Sequence, residues 1–200
     1  MYMAETIVCY GDSNTYGYDP RSFMGERYPK EIRWTGLLEK HTGWEIRNCG
    51  VNGRCIPHDP SQIRFALEQA RGWRRENSPV WLWIMLGTND LLTEPGFTAW
   101  DVAARMENFL ELLLSQTGEG ELPMALIVPP PLEYGAWVNE ERLYRESRKL
   151  EEAYKKTAEK LGIGFVPTKD WEISLVFDGV HFSEKGHKRF AEKILETVKK

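Results

Sequence analysis

The sequence predicts an α/β protein built on an open parallel sheet, and three observations carry that prediction. Five short apolar segments alternate with stretches of helical period along the chain. The central apolar run, VWLWIML at 80–86, shows no polar alternation, as expected of a strand covered on both faces. Each of the first three strand segments breaks into a turn rich in Gly, Asn, Ser or Asp. With 200 residues, 42% of them hydrophobic, the chain is long enough for one well-filled core and short for two, so a single domain over 1–200 is expected.

The first strand is expected over 5–10, ETIVCY, breaking at Gly11 to deliver Asp12, Ser13 and Asn14. A long connection, YGYDPRSFMGERYPKEI at 16–32, leads towards a second strand at 44–49, which ends in NCGVNGR with Gly53 at its turn. Ile63, Ala66, Leu67, Ala70 and Trp73 then form an apolar stripe of helical period ahead of the 80–86 strand and its GTND turn, with Asn89 and Asp90. Val102, Met106, Phe109, Leu110 and Leu113 mark the next helix, followed by a strand at 123–128. A second long connection, PPPLEYGAWVNE at 129–140, precedes a helix striped by Leu143, Leu150, Tyr154 and Leu161. The last strand is expected at 162–166, and a final helix opens near Ser183 with Phe190, Ile194 and Val198 on one face.

Composition narrows the function classes. A formal net charge of -4 offers no field to gather nucleic acid or anionic lipid, and the short RGWRRE run at 71–76 reads as a solvated helix end. No apolar run is long enough to span a bilayer. The N-terminus lacks a basic leader, and cleavage there would remove the first strand, so a cytoplasmic protein is expected. Three unevenly spaced cysteines, Cys9, Cys49 and Cys55, read as reduced thiols. Cys49, Cys55 and His58 could be imagined around a metal, but a fourth ligand and a CxxC pair are missing.

In open α/β sheets the functional crevice lies beyond the carboxyl ends of the strands, where strand order reverses. With strand order 2-1-3, the turns bearing Ser13, Gly53 and Asn89 converge there. FDGVHFS adds Asp178 and His181 just before the final helix. A hydroxyl becomes a useful nucleophile when a base removes its proton, and Asp178-x-x-His181 can supply an imidazole with a carboxylate to orient it. The backbone N–H groups of Ser13 and Gly53 and the amide of Asn89 are candidate donors to an oxyanion. Asp12 and Asp90, without a neighbouring histidine, read as local turn hydrogen bonders.

GDSN, the Gly53 turn, GTND and DGVH, in this order, resemble the four blocks of the SGNH (GDSL-type) hydrolases. The resemblance covers almost the whole chain. It implies a flavodoxin-like three-layer α/β/α sandwich with a five-stranded parallel sheet, and cofactor-independent ester hydrolysis, for which no metal is expected because serine, histidine and aspartate supply nucleophile and base. It further implies Ser13 as nucleophile, Gly53 and Asn89 in an oxyanion hole, and Asp178 with His181 completing a triad. The opening CYGDSNTYGYDP, RW at 33–34 and GVNGR at 50–54 resemble the small arylesterase and acyltransferase branch, whose members act on short acyl esters and commonly form oligomers. Asn14 departs from the leucine of the family's name, and Cys55 from a threonine frequent in that branch.

Both long connections are rich in aromatic residues and are expected to wall a pocket. Tyr16, Tyr18 and Phe23 belong to the first, and Tyr134 and Trp137 to the second. Asp12, Tyr16, Tyr134 and Trp137 are the candidates for contacting substrate, and rings of this size predict a pocket suited to short acyl groups. Two other functions compete: acyl transfer to an alcohol at the same site, and a non-catalytic flavodoxin-like module holding a nucleotide at the Ser13 turn.

Overall fold

The computed structural model describes residues 6–22, 24–76, 80–117 and 122–198. Glu5, at the start of the first expected strand, and Phe23, in the first long connection, lie outside the described residues. Strands β1 (Thr6–Gly11), β2 (Glu45–Gly50), β3 (Val80–Met85), β4 (Met124–Ile127) and β5 (Gly164–Val166) form one sheet in the order β2-β1-β3-β4-β5. All four pairings are parallel. The chain steps from β1 outward to β2 and then returns to the other side of β1 for β3. The order therefore reverses at the carboxyl ends of β1 and β3.

The pleat divides the apolar residues of each strand between two cores. Ile7, Cys9, Trp83, Met85 and Ile127 face one side, where α2 (Trp34–Thr42) brings Trp34 and Leu38, and α7 (Glu184–Val198) brings Phe190, Ala191 and Ile194. Val8, Tyr10, Leu82, Ile84 and Leu126 face the other, under α3 (Pro60–Arg74), α5 (Ala99–Thr117) and α6 (Glu141–Leu161). Two buried faces explain why the β3 run carries no alternation, and they make the three layers.

Local chemistry sets the ends of the elements. Asp59 accepts the N–H groups of Ser61 and Gln62, both at 2.9 Å, and Pro60 occupies the first turn of α3. Ser183 Oγ accepts the Gly186 N–H at 3.1 Å where α7 begins. Gly162 closes α6 with φ 65°, which removes it from the expected fifth strand and leaves β5 three residues long.

Other expectations shift in detail. Val198 is 39% exposed and leaves the apolar face of α7. Helix α2 has no counterpart in the sequence expectations, because nine residues offer only about two and a half turns of period and Thr35, Gly36 and Thr42 are weak helix formers. Its stability comes from burial of Trp34, whose ring meets Phe190 at 5.0 Å. Two short helices, α1 (Ser13–Tyr16) and α4 (Thr88–Thr93), occupy the turns after β1 and β3. Among the described residues, no helix is long and apolar enough to cross a membrane.

Candidate active site

Strand β1 runs straight into the turn that presents Ser13. Asp12 caps the one-turn α1, its Oδ1 accepting the Asn14 N–H at 2.9 Å, and Gly17 ends it with φ 84°. Ser13 thus sits at the first position of α1, only 6% exposed. From the opposite end of the chain, the loop ahead of α7 brings His181 Nε2 to 3.0 Å from Ser13 Oγ. His181 Nδ1 lies 2.7 Å from Asp178 Oδ2. The second carboxylate oxygen of Asp178 accepts the Val180 and His181 N–H groups at 2.8 and 3.0 Å.

Burial opposes the charge on Asp178, but the imidazole and these two backbone donors outweigh it and hold its carboxyl below the usual range. Asp178 is therefore a fixed acceptor that keeps a proton on Nδ1 and leaves Nε2 as the acceptor facing Ser13. The arrangement can draw a proton from the hydroxyl.

The Gly53 turn continues from β2, with the Val51 N–H donating to the Gly11 carbonyl at 3.1 Å. Gly53 has φ 70°, a conformation that a side chain would oppose, so its backbone can turn tightly beside the Ser13 loop. The Arg54 guanidinium fastens this turn to the carbonyls of Gly11 and Cys49 and lies over the Tyr10 ring at 4.1 Å. Asn89 reaches the turn from α4, its Nδ2 donating to the Arg54 carbonyl at 3.0 Å.

Asp90 was expected to bond locally, but it reaches further. Fully buried, it accepts the Ile56 N–H at 3.0 Å and pairs with Arg105 at 2.8 Å, tying α4 to the segment after Gly53 and to α5. Burial raises its pKa, while the Ile56 N–H and Arg105 pull it down. Asp12 is buried as well, and its carboxyl is pushed up to about 6 by desolvation. It caps the Ser13 turn and is 1% exposed.

The aromatic candidates divide. Trp137 packs edge-on against His181 with centroids 5.0 Å apart, and Tyr18 does so from the other loop at 4.8 Å. Tyr16 instead lies under the Arg27 guanidinium, and Tyr134 stacks on Tyr144 at 4.7 Å. Tyr18, two residues beyond Tyr16, is thus the described ring of the first connection that meets the imidazole. Periodicity gives no means of choosing between them in an irregular segment.

The 133–138 segment is laced to the acid-bearing loop. The Glu133, Ala136 and Trp137 N–H groups donate to the carbonyls of Gly179, Phe177 and Asp178, each at 3.1 Å. A Cβ at Gly179, where φ is 79°, would collide with the Glu133 carbonyl. Cys55 Sγ lies 3.7 Å from Thr93 Oγ1, and His58 Nδ1 is 2.9 Å from the Ile56 carbonyl. Among the described residues, no group of three or more His, Cys, Asp or Glu could hold a metal ion, so Cys49, Cys55 and His58 do not assemble into such a site.

Ser13, His181 and Asp178 thus stand in hydrogen-bonded sequence at the switch point of a parallel α/β sheet, the order of groups that serine-type acyl transfer calls for. Residues 9–189 match the GDSL-like Lipase/Acylhydrolase family, and the chain belongs to that family of carboxylic ester hydrolases. The alternative of a non-catalytic nucleotide-binding module gives way to this membership.

The chain is similar to the structure of a carbohydrate acetylesterase from Sinorhizobium meliloti, at 25% identity and TM-score 0.78 over 98% of both chains. It is similar as well to the native aryl esterase of M. smegmatis, at 24% identity and TM-score 0.77, over 98% of this chain and 99% of that one. The same esterase in an inhibitor-bound form aligns with TM-score 0.81 at 23% identity, with the same coverage. No protein of curated function matches the chain.

Proposed function

We propose that the protein hydrolyses short-chain acyl esters, such as acetyl esters of small, aryl or sugar alcohols, through an acyl-enzyme on Ser13. The observation that carries this reading is the buried chain Ser13–His181–Asp178, with contacts of 3.0 and 2.7 Å. His181 Nε2 takes the Ser13 proton as Oγ bonds to the ester carbonyl carbon and the carbonyl electron pair moves onto oxygen. That oxyanion receives the N–H groups of Ser13 and Gly53 and the second N–H of the Asn89 amide. Its collapse breaks the bond to the alcohol, which leaves with the proton from His181. Water, deprotonated by the same imidazole, then releases the acid and restores Ser13. Asp178 stays ionised throughout and stabilises the imidazolium.

The likeness to a carbohydrate acetylesterase supports acetyl esters as the substrate class. Rings near His181 support it too, because Tyr18 and Trp137 narrow the approach. The test uses p-nitrophenyl acetate and acetylated sugars with wild type, Ser13→Ala, His181→Ala and the double variant. Each single variant is expected to lose most of kcat, and the double variant to be barely worse than either, since the two groups act as one unit. Normal turnover in Ser13→Ala, or losses that multiply in the double variant, would overturn the assignment.

A further inference from the structure

Ser13 and His181 lie 168 positions apart on separate elements, and the hydrogen bond between them cannot itself keep them in register. In the proposed cycle that bond is broken and remade at each step as the proton moves and Oγ becomes acylated. Some other contact must hold the two loops together while it is absent.

Asn14 supplies one. Its Nδ2 donates to the Val180 carbonyl at 3.0 Å, and its Oδ1 accepts the Phe182 N–H at 2.9 Å. The two peptide groups so engaged lie on either side of His181. The residue's own backbone is held as firmly, its N–H donating to Asp12 and its carbonyl accepting the Trp34 indole N–H at 3.0 Å. Asn14 is only 6% exposed, so these groups have little access to water as a substitute.

We propose that Asn14 is a positioning residue, its amide stapling the turn that bears the Ser13 hydroxyl to the loop that bears the His181 imidazole. The inference rests on the serine-hydrolase reading given above. An amide is required because the two contacts have opposite sense, one donated and one accepted. Leucine, the residue in the family's name, would leave the Val180 carbonyl and the Phe182 N–H unpaired. A carboxylate of the same shape would keep the contact to Phe182 and set an oxygen against the Val180 carbonyl. Asn14 touches no reacting atom in this account and acts through the geometry of its neighbours.

Asn14→Asp and Asn14→Leu test it, each compared with wild type for steady-state acetate ester turnover, for covalent labelling of Ser13 by a fluorophosphonate, and for thermal unfolding. Misplacement of a reacting group by about 1 Å can cost a hundredfold, so kcat is expected to fall about 10- to 100-fold. KM should stay within about twofold, and the labelling rate should fall in parallel with kcat. A merely structural residue would lower the unfolding midpoint without this split.

A kcat within about twofold of wild type in either folded variant, or a loss confined to KM, overturns the proposal, as does failure of both variants to fold. Ser13→Ala run alongside keeps the two readings apart. If it retains turnover, the serine mechanism fails; if it is inactive while the Asn14 variants are normal, the staple alone fails.

Discussion

In the proposed mechanism Asn89 divides its side-chain amide between structure and chemistry. One N–H holds the Arg54 carbonyl at 3.0 Å, which aims the amide at the Gly53 turn, and the other is assigned to the oxyanion. Its neighbour Asp90 anchors the backbone there through Ile56 and Arg105, so removing the Asn89 side chain leaves α4 in place. Loss of one oxyanion donor typically costs about 10²–10³ in rate. Asn89→Ala is therefore expected to lower kcat for p-nitrophenyl acetate by that amount while the unfolding midpoint barely moves. A variant with normal kcat would remove Asn89 from the site.

The segment 129–140 is a connection by length but behaves as a strap. Three of its N–H groups are tied to the loop carrying Asp178, so Trp137 is held against His181 although 53% of it is exposed. An ordered ring in that place should bound the acyl group. Each further methylene gains roughly 0.8 kcal/mol if buried, whereas groups forced into a filled site cost about 1–3 kcal/mol. The specificity constant is expected to fall beyond roughly butanoyl in a p-nitrophenyl ester series, and Trp137→Ala should move the optimum to longer chains. Activity that rises through octanoate, or a profile unchanged in the variant, would show that the strap does not limit the acyl site.

The packing of α2 and α7 on the sheet makes stability sensitive to acid. His187 is fully buried between the rings of Tyr28 and Phe182, at 5.3 and 5.4 Å, with Nδ1 accepting the Trp34 N–H at 3.4 Å. Burial, and then the charge of Arg33, push its pKa down from 6.5 to about 3. The folded state thus excludes a proton that the unfolded chain binds. This contribution is complete above about pH 6.5 and is lost as pH falls towards 3. Asp12, raised to about 6, titrates in part of the same window with the opposite sign, but it is common to wild type and a His187 variant and cancels in their difference. Urea unfolding should find His187→Gln less stable than wild type at pH 7, with the gap narrowing by about 2 kcal/mol at pH 5. A gap independent of pH would mean that His187 does not stay neutral on folding.

Much of this architecture was legible before any coordinates, because its signals are local. Apolar runs mark β1 and β3, helical stripes mark α3, α5, α6 and α7, and turn residues place Ser13, Gly53, Asn89 and the Asp178/His181 pair just beyond strand ends or ahead of the final helix. The order 2-1-3 supposed for the first three strands is the one the packed sheet has within β2-β1-β3-β4-β5. Helix α2 was not legible, since Trp34 owes its place to Phe190, far along the chain. Nor was the choice of Tyr18 over Tyr16, or the long reach of Asp90. Asn14 is the plainest case: in sequence it is one more polar turn residue after Ser13, and its partner Val180 lies 166 positions away. Period and turn chemistry depend on neighbours a few residues apart and can be read in order along the chain. Which side chain meets which loop depends on how the layers close, and that is decided only when the sheet and its helices have packed.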